Sequence, residues 1–272
     1  MSPMPLSLPG PALRAVCCVA AALVLAACGS TPKDETAKLS VEELYAQAKE
    51  DQSTGAYDKA IKAFERLEGR AAGTPLAQQA QLELAYAHYK AGERVEALAA
   101  LERFIKLHPT SPAFDYALYL KGLINFNDNL GILGNFARQD LSERDQQASR
   151  DSFQAFRQLV ERFPESQYAP DARLRMTYIV NSLAAYEVHV ARYYYRRGAY
   201  VAAANRAQQT VQEFQQSPSA EEALFLMASS YERLGLTELR DDAERVLRQN
   251  YPDSDFLRGG LRERSKPWWQ VW

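Results

Sequence analysis

The chain has 272 residues, 47% of them hydrophobic and 24% charged, and 32 basic against 34 acidic side chains leave a formal charge of −2. That near balance provides no basic surface of the kind that holds nucleic acid, so no nucleic-acid partner is expected. All three cysteines precede residue 29, so a disulfide framework or a cysteine metal site is excluded for the rest of the chain.

In chain order, the first element is a leader. Residues 1–14 are polar, Pro-rich and weakly basic, Ala15 to Ala27 form an apolar run of 13 residues, and Leu25-Ala26-Ala27-Cys28 close it. A bilayer core takes about 20 helical residues, so this run is short for a membrane span and suits the apolar region of a signal peptide. "LAACGS" resembles the lipobox of bacterial lipoproteins. The resemblance implies that residues 1–27 are removed and that Cys28 carries N-palmitoyl and S-diacylglycerol groups. Gly29, in place of an Asp, implies sorting to the outer membrane, on its periplasmic face. Loss of Arg14 with the leader changes the balance to 31 basic against 34 acidic, or −3. Residues 28–39, small, charged and Pro-bearing, are expected to form a flexible tether.

From Ser40 the apolar residues recur at helical spacing with no alternating pattern, which predicts an all-α fold. The turns reveal a repeat. Gly55 and Gly92 lie 37 residues apart, as do Gly198 and Gly235, and Gly55, Gly92 and Gly198 are each followed five residues later by Ala. Pro109, Pro164 and Pro252 punctuate the units. This resembles the tetratricopeptide repeat. Glycine supplies the left-handed turn, alanines let paired helices approach, and proline stops the second helix. Five repeats are expected from Ser40 to Pro252, in blocks 40–126 and 146–252. The 55 residues from Pro109 to Pro164 exceed one repeat, and Asn127 to Asp145 are expected to form an inserted loop in the third. Ala172 to Arg197 predict an unusually long helix. In the last repeat Arg240 replaces the usual small residue, as a wetter terminal cap requires.

Residues 253–272 are expected to form a basic tail after Gly259-Gly260. Its Trp268, Trp269 and Trp272 are the only tryptophans in the chain. Three exposed indoles require a cover, which docking on a partner, folding back on the last repeat or membrane contact would each supply.

No phosphate-binding loop, dinucleotide fingerprint, zinc-protease or nucleophile-elbow motif is present. His88, His108 and His189 stand in separate repeats. Glu187 and His189, two apart on a helix, point to different sides. No enzyme activity, cofactor or metal is therefore expected, and surface recognition remains. The first helices of the early repeats carry Tyr45, Lys49, Leu82, Tyr86, Tyr89, Tyr116, Tyr119 and Phe126. Tyrosine offers large apolar contact and a polar tip at low entropic cost, which suits a groove for extended peptides of varied sequence. Their alternative role is packing between helices.

A lipobox, five repeats, an insertion ending "SERD" before "FPESQYAPDAR", and "AAYEVHVARYYYRRGAYVAAANR" together resemble the BamD (YfiO/ComL) family of outer-membrane assembly lipoproteins. The resemblance implies a non-catalytic adaptor of the β-barrel assembly machinery. It implies N-terminal repeats that receive C-terminal targeting segments of unfolded outer-membrane proteins, and C-terminal repeats that dock on a BamA-like barrel subunit beside accessory lipoproteins. Arg192, Arg196 and Arg197, with the tail tryptophans, are the expected docking residues. A tetratricopeptide lipoprotein pilotin for pilus or secretin assembly stays open as the alternative; it should lack the inserted loop and the long helix.

Overall fold

The computed structural model describes residues 38–126 and 143–259. Cys28, most of the insertion and the three tryptophans lie outside the described residues. Among the described residues eleven helices follow one another, paired antiparallel into five repeats. Helices α1 (Val41–Ser53) and α2 (Tyr57–Arg70) form the first, α3 (Pro75–Ala91) and α4 (Arg94–Leu107) the second. Helices α5 (Phe114–Asn125) and α6 (Glu143–Arg162) form the third, α7 (Ala169–Arg196) and α8 (Tyr200–Glu213) the fourth. Helices α9 (Ser219–Arg233) and α10 (Thr237–Asn250) form the fifth, and the short α11 spans Asp255–Gly259. The chain is an all-α tetratricopeptide-type solenoid.

Local chemistry accounts for the boundaries. Ser40 caps α1 with a reciprocal box: its Oγ accepts from the Glu43 amide at 3.1 Å, and its own amide donates to Glu43 Oε2 at 2.8 Å. Gly92 ends α3 at φ 84°, and Gly55, Gly198 and Gly235 adopt the same left-handed conformation in the equivalent turns. Between repeats a second turn recurs that the prolines only partly signal. The amides of Ser111, Ser166, Ser217 and Ser254 donate to the carbonyls of His108, Phe163, Phe214 and Tyr251, all at 2.9–3.1 Å. Each serine Oγ then accepts an amide two residues on. Helix α6 begins at Glu143, inside the loop expected over 127–145, because Glu, Arg and Gln favour helix.

Each core is shared between neighbours. Leu44, Phe64, Leu67 and Leu84 join the first two repeats; Ala85, Leu101, Phe104 and Leu120 join the second to α5. Phe114, Phe156, Ile179 and Phe214 then span α5 to α8, and Val188, Ala207 and Leu226 join the fourth and fifth repeats. Every repeat therefore depends on the next for burial, as in a one-dimensional array. Helix α7, 28 residues long, touches both α8 and α9 and bridges the last two repeats. Helix α10 buries only Ala243 and Leu247, the wetter surface expected of a terminal repeat, and Phe256 of α11 stacks on Phe225 at 5.3 Å.

Candidate peptide groove and docking face

The first helices α1, α3, α5 and α7 stand side by side, and their facing side chains form one continuous row. At its start the Gln79 side chain donates to the Tyr45 hydroxyl, while Lys49 Nζ lies 2.9 Å from Glu83 Oε1. Burial first, and the Glu83 charge second, raise the Tyr45 phenol above its ordinary ionisation range. Tyr86 packs edge-on to Tyr89 at 6.5 Å, and both rest on the core of the second repeat. Tyr116 and Tyr168 are 5.5 Å apart, and Tyr168 stacks on Tyr119 at 4.8 Å and 18°.

The row ends in a polar clasp. The Tyr119 hydroxyl donates to Asp171 Oδ2 at 2.8 Å, Arg175 Nε donates to the same oxygen at 2.6 Å, and the Arg175 guanidinium covers the Phe126 ring at 4.7 Å. Burial alone would raise the Asp171 carboxyl, but these two hydrogen bonds and the Arg175 charge hold it below its ordinary value. Between α3, α4, α5 and the start of α7 the row opens into a cleft of about 530 Å³, walled by Leu82, Phe104, Pro112, Tyr116 and Tyr168.

Seven of the eight residues expected in the groove keep partly exposed surface on this row. Leu82 is the exception at 5% exposure: it is spent on the core and shows only as cleft wall. Gln79, Glu83, Tyr168, Asp171 and Arg175 join this row beyond the residues expected from the sequence. Asp171 and Arg175 stand four apart at the start of a helix, a spacing that places them on one face, and that signal was available in "YAPDARLR". His88 closes its turn against Glu93 at 2.7 Å. Glu187 is buried against Arg206 whereas His189 is exposed, so the two do not form a pair.

At the other end Arg192 is occupied within the chain, its Nε 2.7 Å from Glu222 Oε1, which ties α7 to α9. That ion pair makes it a staple, whereas Arg196 and Arg197 are exposed. Arg197 caps α7 and lies 5.4 Å over the ring of Tyr193. Tyr193, Val201, Leu236 and Leu239, all more than two-fifths exposed, lie near the helix turns of the last two repeats. Among the described residues no cluster of His, Cys, Asp and Glu suits a metal ion, and no helix is long and apolar enough to cross a membrane.

A family model described as "Outer membrane lipoprotein", YfiO, matches residues 37–247. The outer membrane protein assembly factor BamD of Neisseria meningitidis serogroup A is 46% identical over 259 residues, covering 93% of this chain and 97% of the relative. The chain belongs to this BamD family of outer membrane lipoproteins. The BamD proteins of Xylella fastidiosa strain Temecula1, 37% identical over 84% of this chain and 78% of the relative, and of Haemophilus influenzae, 33% identical over 88% and 90%, extend the relationship. Membership makes this a non-catalytic outer-membrane assembly factor and a component of the assembly complex, in agreement with the resemblance carried by the repeat motifs.

Proposed function

We propose that this assembly factor holds targeting segments of unfolded outer-membrane barrel proteins on the row formed by α1, α3 and α5, and passes them to a barrel subunit docked at its last two repeats. The observation that carries this reading is the row itself. Half-buried tyrosines with paired charges open onto a cleft large enough for a side-chain ring. Barrel strands alternate apolar and polar residues, so an extended segment presents a ring at every second position to one face. Each ring contributes about 2 kcal/mol once ordering costs are subtracted, enough for transient holding.

Arg196 and Arg197, beside the exposed Tyr193, supply cations and apolar surface to the docking end. Such arginines suit bidentate pairing with carboxylates on a folded partner domain. Lipid on Cys28 anchors the array to the membrane. The tail tryptophans add a further contact to the complex.

A photo-crosslinking residue at Tyr86 or Tyr116 is expected to capture an unfolded barrel protein. The same probe on the outer helices at Arg66 should capture none. Capture from Arg66 alone would defeat the groove assignment. Reversal of charge at Arg196 and Arg197 should reduce recovery of the barrel subunit, and undiminished recovery would move the docking surface elsewhere.

A further inference from the structure

The cleft between α3, α4 and α5 has an electrostatic character that narrows what enters it. Among the described residues two charged side chains line it, Glu83 and Asp115; both are acids, and neither Lys nor Arg is part of that lining. Asp115 is satisfied locally, Oδ1 accepting from the Tyr116 amide at 2.7 Å and Oδ2 from Ser166 Oγ at 2.6 Å. It also opens α5, where the helix dipole favours negative charge.

Among the described residues the cation paired with Glu83 is Lys49, and that ammonium also donates to Gln52 at 2.8 Å, on the α1 side. The phenol of Tyr116 senses the same field: burial first, and the Glu83 charge second, push its ionisation far above the ordinary range. A further anion brought to this wall loses hydration and meets Glu83. A neutral ring meets Leu82, Phe104 and the tyrosines and buries apolar surface.

We propose that the cleft takes a neutral aromatic side chain from within an extended client segment, and that its acids keep the segment's terminal carboxylate outside. The inference rests on the groove reading above and adds to it the part of the segment that is seated. A ring on the last residue enters with its own carboxylate close behind, whereas a ring further in brings only neutral backbone.

The test uses the full chain and three fluorescent peptides of ten residues with alternating apolar and polar positions. One ends in Phe as the free acid, one ends in Phe as the amide, and one has a free acid with the Phe moved three positions inward. Anisotropy titrations are expected to show the amide and the inward-Phe peptides binding ~5-fold tighter than the terminal free acid, the scale of one partly screened charge contact. Glu83→Gln should bring the free acid and the amide within about twofold of each other, a shift set by removal of the same charge. The wild-type comparison needs no folded variant. A free acid binding as tightly as its amide overturns the inference, and so does a preference unchanged in Glu83→Gln. If no peptide binds at all, the groove reading itself falls, and that outcome is distinct from a reversed preference.

Discussion

Gly122 tests how tightly the groove depends on its supporting helices. It lies on α5, and a Cβ there would sit 2.5 Å from Cδ1 and 2.7 Å from Cζ of Phe156 on α6, closer still to Cε1. The ring has no exposed surface and lies against Tyr119 at 6.0 Å and Phe126 at 6.4 Å, so it has nowhere to swing. One turn away Ser152 Oγ donates to the Gly122 carbonyl at 2.8 Å, which fixes the same approach. In Gly122→Ala the helices must part or the ring must leave its rotamer. Overpacking of this kind costs about 1–3 kcal/mol, and an immovable ring puts it at the upper end. Alanine returns about 1 kcal/mol of helix propensity, which leaves a net loss of about 2 kcal/mol. For a chain of this size that lowers the melting temperature by about 4–8 °C, read by circular dichroism. Because α5 also carries Tyr116 and Tyr119, peptide affinity should fall with it. Phe156→Leu in the Gly122→Ala background should recover part of the loss, making the double variant less destabilised than the sum. If Gly122→Ala instead raises stability, as propensity alone would have it, or if the two changes simply add, the close-approach explanation is refuted.

Four further outcomes follow from other sites. Asp171 has a folded-state value below its ordinary one, so its contribution is present above the unfolded value and lost as pH falls through the folded one. Asp171→Asn should therefore lower the melting temperature at pH 7, and the gap from the unaltered chain should close below about pH 4. Glu187 is only 3% exposed and is held by Arg206 at 3.0 Å. Arg206→Ala strands a buried carboxylate and should cost about 2–3 kcal/mol in urea denaturation, largely restored by adding Glu187→Gln. Arg192→Ala, whose carboxylate partner Glu222 is less deeply buried than Glu187, should cost about 1 kcal/mol. Cys28→Ala should give an unprocessed chain that takes up no labelled palmitate and leaves the outer-membrane fraction. Its persistence there would mean that attachment comes through partners.

The solenoid was legible because tetratricopeptide packing is written locally. A left-handed turn admits glycine with little strain, and Gly55, Gly92, Gly198 and Gly235 all adopt it. The spacing of small residues identified the paired helices, and the unbroken run after Pro170 identified α7. Aromatic residues on the first helices marked the row of side chains proposed as a groove, since period and repeat phase decide which face each one occupies. Those features need only near neighbours in sequence, and they sufficed for the family resemblance as well.

What each of those residues does inside the row was decided by residues far away along the chain. Leu82 and Tyr86 read alike as groove candidates, yet Leu82 is covered by the neighbouring core whereas Tyr86 stays partly open. Arg192 and Arg196 read alike as docking cations, yet Glu222, thirty residues on, occupies one and leaves the other at the surface. Tyr119 meets Asp171 across 52 positions, and Lys49 meets Glu83 across 34. Helical spacing sets the direction in which a side chain points, but its partner and its remaining exposure depend on which helix the superhelix brings opposite, and that follows from the packing of all the repeats together.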